Sequence, residues 1–387
     1  MLQSLRKGGV GLRHKVCAGL CVLSLLFTIS GCSSLFERTY TSESDFKGSE
    51  EIELDDDTEI IKSYSALRWR IYDMVTNHEE TAEFLISGYS GDVTSDIASI
   101  CGSVNTESAY GAYCVEYVSY DLTQIVSYYE AKVQITYKYT AEELEDMLVV
   151  SNNENFSDTV AEKMADGLEH MVFKVNIGKG DEKTVAELVR QSCRNHPTLI
   201  SYIPTVSAKV YSGNTSQMIY DIRVNYGPQW ESNSSRTYLL INALTNAKRN
   251  VPASSQPWMV INGAQYLAEN CGVSDEGGST AYDAMVIGLA DSEGIASAFK
   301  ALCDRLEISC QVISGMMDKS PHYWNLVQIN GDYYHIDVSE LLEKGGEDAL
   351  FLNDSEKSAT CWWNLTDYPA CEGELTYRSI VSPGAES

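Results

Sequence analysis

The spacing of apolar residues changes character several times along the chain. Residues 16–29 form one continuous apolar run behind a basic start of Arg6, Lys7, Arg13 and Lys15. That run is too short to cross a bilayer comfortably. Residues 33–60 are rich in Ser, Thr, Glu and Asp, with an acidic cluster over 50–59, and hold too little apolar surface to order themselves. They read as a flexible acidic tether, 32–60. A repeating pattern then begins. Helical periodicity over 67–75 is followed by a short strand over 84–86 and a helix over 93–100. Alternating strands over 113–120 and 129–139 complete the unit, the second placing Ala131, Val133, Ile135 and Tyr137 on one face. Thr140-Ala141-Glu142-Glu143 has the form of a helix cap.

The same order returns through 185–188, 199–210 and 218–226. Phe84 matches Phe173, and Val133, Ile135 and Tyr137 match Ile222, Val224 and Tyr226, every pair 89 positions apart. Cys101 and Cys193 fall near the ends of equivalent helices. A constant offset of this kind marks an internal repeat. The expectation is α+β: two tandem small repeat modules, 61–152 and 153–230, each with helices on one face of a hairpin-containing sheet. Their many tyrosines suit strands packed on a sheet and equally suit a row of ring contacts for a glycan or peptide. His78, His170 and His196 show no partner spacing.

From residue 236 the pattern turns helical over 238–244, 258–270 and 280–288. Ile295, Phe299, Leu302, Cys303 and Leu306 then form one buried helical stripe, with Ser292 at its N-terminal end. Three pieces stand out: Ser292-Glu293-Gly294, His322-Tyr323-Trp324-Asn325 and Tyr334-His335-Ile336-Asp337. A helix start followed by two strands is the layout of a nucleophile–histidine–aspartate triad with each member on its own element. The candidate catalytic residues are Ser292, His322 and Asp337, and the candidate binding residues are Trp324, Asn325 and Tyr334.

These residues resemble the transglutaminase-like superfamily, a branch of the papain-like cysteine hydrolase and acyltransferase fold. Gly294, Ala296, Ala298, Phe299 and Leu302 match its G-x-C-x-G-Y-A-x-A-F-x-x-L motif. His322, Trp324 and Asn325 match H-A-W-N-x-V, and Tyr334, His335 and Asp337 match W-Y-H-V-D. The resemblance covers about 235–372 and implies a transglutaminase-like domain over 231–378, followed by a disordered tail over 379–387. Leu350-Phe351-Leu352-Asn353-Asp354-Ser355 resembles a segment that closes many bacterial members. Trp362 and Trp363 would wrap back over the domain, packing into it or lining the groove.

The family's cysteine is Ser292 here. A thiolate gains from a helix N-terminus, because unpaired N–H groups and the dipole favour an anion. A serine hydroxyl is too weak an acid to gain comparably and needs His322 to take its proton in the transition state. A serine at that position is also an ordinary N-cap. Asp291 adds a carboxylate beside the nucleophile, and Ile295 replaces the family's tyrosine. Two readings follow: a catalytically degenerate domain that binds a polypeptide or cell-wall component, or an active acyltransferase or peptidase using Ser292, His322 and Asp337 on extracellular amide bonds.

The end of the apolar run, Ile29-Ser30-Gly31-Cys32, resembles a bacterial lipobox. It implies a signal peptide over 1–31, lipidation at Cys32 and an extracytoplasmic protein anchored to the bacterial cell membrane through that lipid. The formal charge of the whole chain is −27. A chain this acidic repels phosphate backbones, so no nucleic-acid partner is expected. Eight cysteines follow Cys32. Cys101 with Cys114, and Cys361 with Cys371, could close short loops or remain buried thiols. No C-x-x-C pair occurs, and neither a metal nor a cofactor is expected.

Overall fold

The computed structural model describes residues 59–177, 180–252 and 255–382. The expected signal peptide, the lipidated Cys32 and nearly all of the tether lie outside these residues. The first module runs β1 (Ile60–Ile61), α1 (Tyr64–Thr76), β2 (Thr81–Ser87), α2 (Val93–Glu107), α3 (Ala109–Cys114), β3 (Val115–Ile125) and β4 (Tyr128–Tyr137). A short α4 (Ala141–Glu145) leads to the second module: β5 (Leu148–Val150), α5 (Asn153–Ala165), β6 (His170–Val175), α6 (Glu182–Asn195), β7 (Thr205–Tyr211) and β8 (Met218–Asn225). The capping box at Thr140 and Glu143 forms as the sequence predicts.

The two sheets have the same strand order, β1-β2-β4-β3 and β5-β6-β8-β7. Their registers also repeat. Phe84 faces Ala131 and Phe173 faces Tyr220, while Ile61 faces Ile86 and Val150 faces Val175. Every one of these positions is again displaced by 89. Two expectations change. The second sheet begins at Leu148, ahead of the expected boundary at 153, because three apolar residues suffice for a parallel edge strand. Tyr113 lies on the short helix α3 rather than on a strand; Ser108 caps that helix through the Gly111 N–H and Tyr113 is buried.

The remainder packs helices on a five-stranded antiparallel sheet, beside a short parallel pair of strands, Gly272–Gly278 and Leu289–Ala290. It contains α7 (Asn233–Asn250), α8 (Gln256–Asn270), β9 (Gly272–Gly278), β10 (Leu289–Ala290), α9 (Ser292–Arg305), β11 (Cys310–Met317), β12 (Ser320–Ile329) and β13 (Asp332–Ile336). Then follow α10 (Val338–Lys344), α11 (Gly346–Ala349), β14 (Leu350–Leu352), α12 (Asp354–Lys357), β15 (Cys361–Trp362) and α13 (Tyr377–Val381). The expected helix over 280–288 is a single wide π-type turn, Asp283–Ile287, ending at Gly288 in the left-handed region. The sheet order is β14-β13-β12-β11-β15. Helix α9 is the centre of the core, with Ile295, Ala298, Phe299, Leu302 and Cys303 all buried. Gly294 lets its first turn approach the preceding loop, since a Cβ there would lie 2.6 Å from the Gly278 carbonyl oxygen. Helix α13 extends past the expected end of the domain at 378, and Ile380 is buried in the core. All eight described cysteines are free thiols.

Candidate functional site

Asp291, not Ser292, caps α9. Its carboxylate accepts from the Gly294 N–H at 2.9 Å and from the Ser279 hydroxyl at 2.5 Å. Serine is thereby relieved of the capping role expected for it. The Ser292 hydroxyl reaches across to β12, where it accepts from the Tyr323 N–H at 3.3 Å, one residue beyond His322. Among the described residues that is its one hydrogen bond. Asn325 ties the same strand to the same helix, donating from Nδ2 to the Ala296 carbonyl at 2.9 Å.

His322 is buried and its Nε2 lies 2.7 Å from Asp337 Oδ2. Asp337 has further partners that motif reading did not anticipate. Lys357, fully buried on α12, donates to Asp337 Oδ2 at 2.6 Å and to Glu340 Oε2 at 3.0 Å. Ser339 donates its hydroxyl to Asp337 Oδ1 at 2.6 Å, and the Glu340 N–H donates to the same oxygen. Burial opposes ionisation of Asp337, yet the Lys357 ammonium and the His322 hydrogen bond hold its carboxyl well below the usual range. Burial likewise opposes the charge on Lys357, and Asp337 and Glu340 hold its pKa above the ordinary lysine value. Lys344 pairs with Glu340. Asp337, Glu340, Lys344 and Lys357 thus form a cluster of two carboxylates and two ammonium groups.

A second His–Asp pair lies behind the first. Trp324 donates its indole N–H to His335 Nδ1 at 2.9 Å, and His335 Nε2 lies 2.9 Å from Asp354 Oδ1. The indole fixes the tautomer, since Nδ1 must accept. Burial pulls the His335 pKa down to about 4 although Asp354 opposes the shift. His335, Asp354 and Cys371 bring their donor atoms within 4.8 Å of one another. Both ring nitrogens are already engaged, and burial pushes the Cys371 thiol far above its ordinary value. The trio is a closed hydrogen-bonded knot rather than an open metal centre. Burial likewise raises the Cys271 thiol, and Cys303 lies well above the normal range.

The three expected binding residues do not line an open surface. Trp324, Asn325 and Tyr334 are each at most 1% exposed. Trp324 stands edge-on to Trp363, which is also buried, and Gly315 leaves room for its ring. Tyr334 packs on Phe351. Trp362 is exposed. These residues build the platform beneath the site instead of touching a ligand. The histidines of the modules do have partners: His170 meets Asp221 at 2.8 Å, His196 meets Asp158 at 3.0 Å, and His78 stacks on Tyr137.

What sequence reading missed most is the contribution of the second module. Helix α6 lies against α9 and β11. Arg194, buried on α6, donates to Glu293 at 2.6 Å and to Glu187 at 2.6 Å. Its guanidinium also lies over the Tyr323 ring at 4.8 Å. Burial nevertheless raises the Glu293 carboxyl above its ordinary value. Two further α6 side chains close the free edge of β11. Asn195 Oδ1 accepts from the Val312 N–H at 3.0 Å, and Gln191 donates to the Val312 carbonyl. Tyr368 covers the next exposed N–H, at Ser314, at 3.1 Å. The signal was present as Gln191, Arg194 and Asn195 at helical spacing, but nothing local shows what such a face will meet. Between α6 and the start of α9 lies a cavity of ≈ 650 Å³.

This is a mixed α+β protein of two tandem modules, followed by helices packed on a five-stranded antiparallel sheet. No protein-family model matches the chain, and no curated protein matches it significantly. Among solved structures it is similar to a TGase, with a TM-score of 0.24 and 14% identity over 54% of this chain and 60% of that one. A second similar structure is described as a "Putative Cysteine Protease from Cytophaga hutchinsonii", with a TM-score of 0.25 and 15% identity over 38% of this chain and 65% of that one. The chain thus spans less than two thirds of either neighbour.

Proposed function

We propose that this is a lipid-anchored extracytoplasmic protein that binds a polypeptide or a cell-wall component through a catalytically degenerate transglutaminase-like domain. The observation carrying this reading is the missing contact between nucleophile and base. Ser292 makes no hydrogen bond to His322; it accepts one from the Tyr323 backbone instead. A serine nucleophile depends on that contact, because its proton must leave as it attacks. The sharing of Asp337 Oδ2 between His322 and Lys357 supports the same reading, as does the Asp291 carboxylate at the helix start.

The test uses the full-length protein in detergent, treated with an acyl electrophile and read by intact mass. The wild type should remain unlabelled. Ser292→Cys should label, and His322→Ala added to it should abolish labelling. Labelling of the wild type at Ser292 would overturn the proposal.

One observation favours a second reading. His322 Nδ1 has no hydrogen-bond partner among the described residues, while Nε2 is held by Asp337. Turned to a different rotamer that reaches this nitrogen, the Ser292 hydroxyl would have a base to take its proton. The protein would then be an acyltransferase or peptidase on extracellular amide bonds, and Ser292→Ala would abolish its turnover of a glutaminyl peptide. Unchanged turnover in that variant would remove this reading.

A further inference from the structure

Resting on the reading of this groove as a binding site, we propose that the cavity between α6 and α9 takes a short peptide ending in a free α-carboxylate, and that Arg236 holds that carboxylate. At ≈ 650 Å³ the cavity has the size of a small-ligand site. Its wall carries three arginines, Arg190, Arg194 and Arg236, and three carboxylates, Glu187, Asp283 and Glu293. Arg194 is committed to Glu187 and Glu293, and Arg190 to Glu187.

Arg236 is different. Its Nε is buried with no hydrogen-bond partner. Its Nη2 reaches Thr280 Oγ1 and Asp283 Oδ1 only at 3.3 and 3.5 Å. The other oxygen of Asp283 is occupied by the Thr280 N–H and hydroxyl. The guanidinium lies over the Tyr282 ring at 4.3 Å, so its flat face is held while its edge donors remain undersatisfied. The Nε itself is closed to the cavity, so a planar, two-oxygen acceptor would meet the Nη edge of this partly exposed side chain. The three wall carboxylates oppose a dianion, which favours a single carboxylate over a phosphate. A peptide anchored at Arg236 extends along the same wall towards Glu293 and Tyr323, the direct neighbours of Ser292 and His322. This gives the groove a polarity: the C-terminal end of the peptide sits at Arg236, and its preceding residues lie toward Ser292.

The experiment is calorimetric titration of the full-length protein in detergent with trialanine, N-acetyl-trialanine, trialanine amide and inorganic phosphate. Trialanine and its acetylated form should bind alike, and the amide about tenfold more weakly, since only it lacks the charged acceptor. Arg236→Gln should bring trialanine down to the level of the amide. Arg236→Lys, which keeps the charge and loses the fork, should fall between. Equal binding of acid and amide would overturn the proposal, as would no binding by any peptide or full discrimination retained in Arg236→Gln. Phosphate binding as tight as that of trialanine would reduce the site to a bare anion site and overturn it too. The acid–amide comparison needs no substitution, so it stands if an Arg236 variant folds poorly. Binding is read without turnover. Labelling of wild-type Ser292 would therefore sink the degenerate reading without touching this result, and a failed titration would leave the labelling result standing.

Discussion

Helices α2 and α6 occupy the same place in two copies of one topology, yet they face different surroundings. Aligned on Cys101 and Cys193, their inward positions agree: Val93 with Val185, Ile97 with Val189, Ile100 with Ser192, all buried. Their outward positions diverge. In α2 they are Ser95, Ala98, Ser99 and Gly102, small and exposed. In α6 they are Glu187, Arg190, Gln191 and Arg194; Gln191 meets β11, Arg194 meets α9, and Glu187 and Arg190 pair within the helix face. The inward half of a module helix is dictated by its own sheet. The outward half is dictated by whatever the module lies against, and only the second copy lies against the candidate site.

The largest test of this contrast is Arg194→Ala. Removing one member of a buried ion pair strands the other, so the variant should lose about 3–5 kcal/mol in a denaturant titration. Next comes pH. His335 is neutral in the folded protein down to about pH 4. An unfolded histidine protonates near pH 6.5, so between these values the unfolded state binds more protons and stability falls as pH falls. The loss from His335 should amount to about 3 kcal/mol across that window. His335 belongs to the sheet that contains β11, to which α6 is tied at Val312, so amide exchange in α6 should accelerate before that in α2; equal acceleration would break the comparison.

A smaller effect is expected from the double variant Gln191→Ala, Asn195→Ala. It uncovers two backbone groups of Val312 and should cost about 1 kcal/mol for each hydrogen bond, read as a lower denaturant midpoint. Ser99→Ala, the α2 counterpart of the Gln191 change, should stay within about 0.5 kcal/mol of the wild type. The smallest effect has the opposite sign. A Cβ at Gly102 meets nothing within 4 Å, so Gly102→Ala should stabilise the protein by roughly 0.5–1 kcal/mol.

Sequence pattern made the modules legible because a sheet imposes a strict alternation and a repeat doubles the signal. The offset read from Phe84 and Phe173 proves to be a register shared by whole sheets. The relation of His322 to Asp337 was legible for a related reason: two adjacent strands joined by a short turn leave little freedom in what faces what. Ser292 was located correctly and its local job was not, since a capping serine and a capping aspartate one position earlier look alike in sequence. Lys357 was invisible. A lysine near a chain end ordinarily points to solvent, and only the fold carries it into the core beside Asp337. The α6 face was invisible too, because periodicity records that a face exists without recording its neighbour.

The closed edge of β11 has a consequence for how the protein is made. Asn195 and Val312 are 117 residues apart, and the helix comes first. In a chain synthesised from its N-terminus, α6 can be folded and waiting on its own module before β11 leaves the ribosome. The stretch of β11 that β15 leaves uncovered then meets its cap on arrival. It spends little time as an unpaired template for other chains, which is the state in which such strands aggregate.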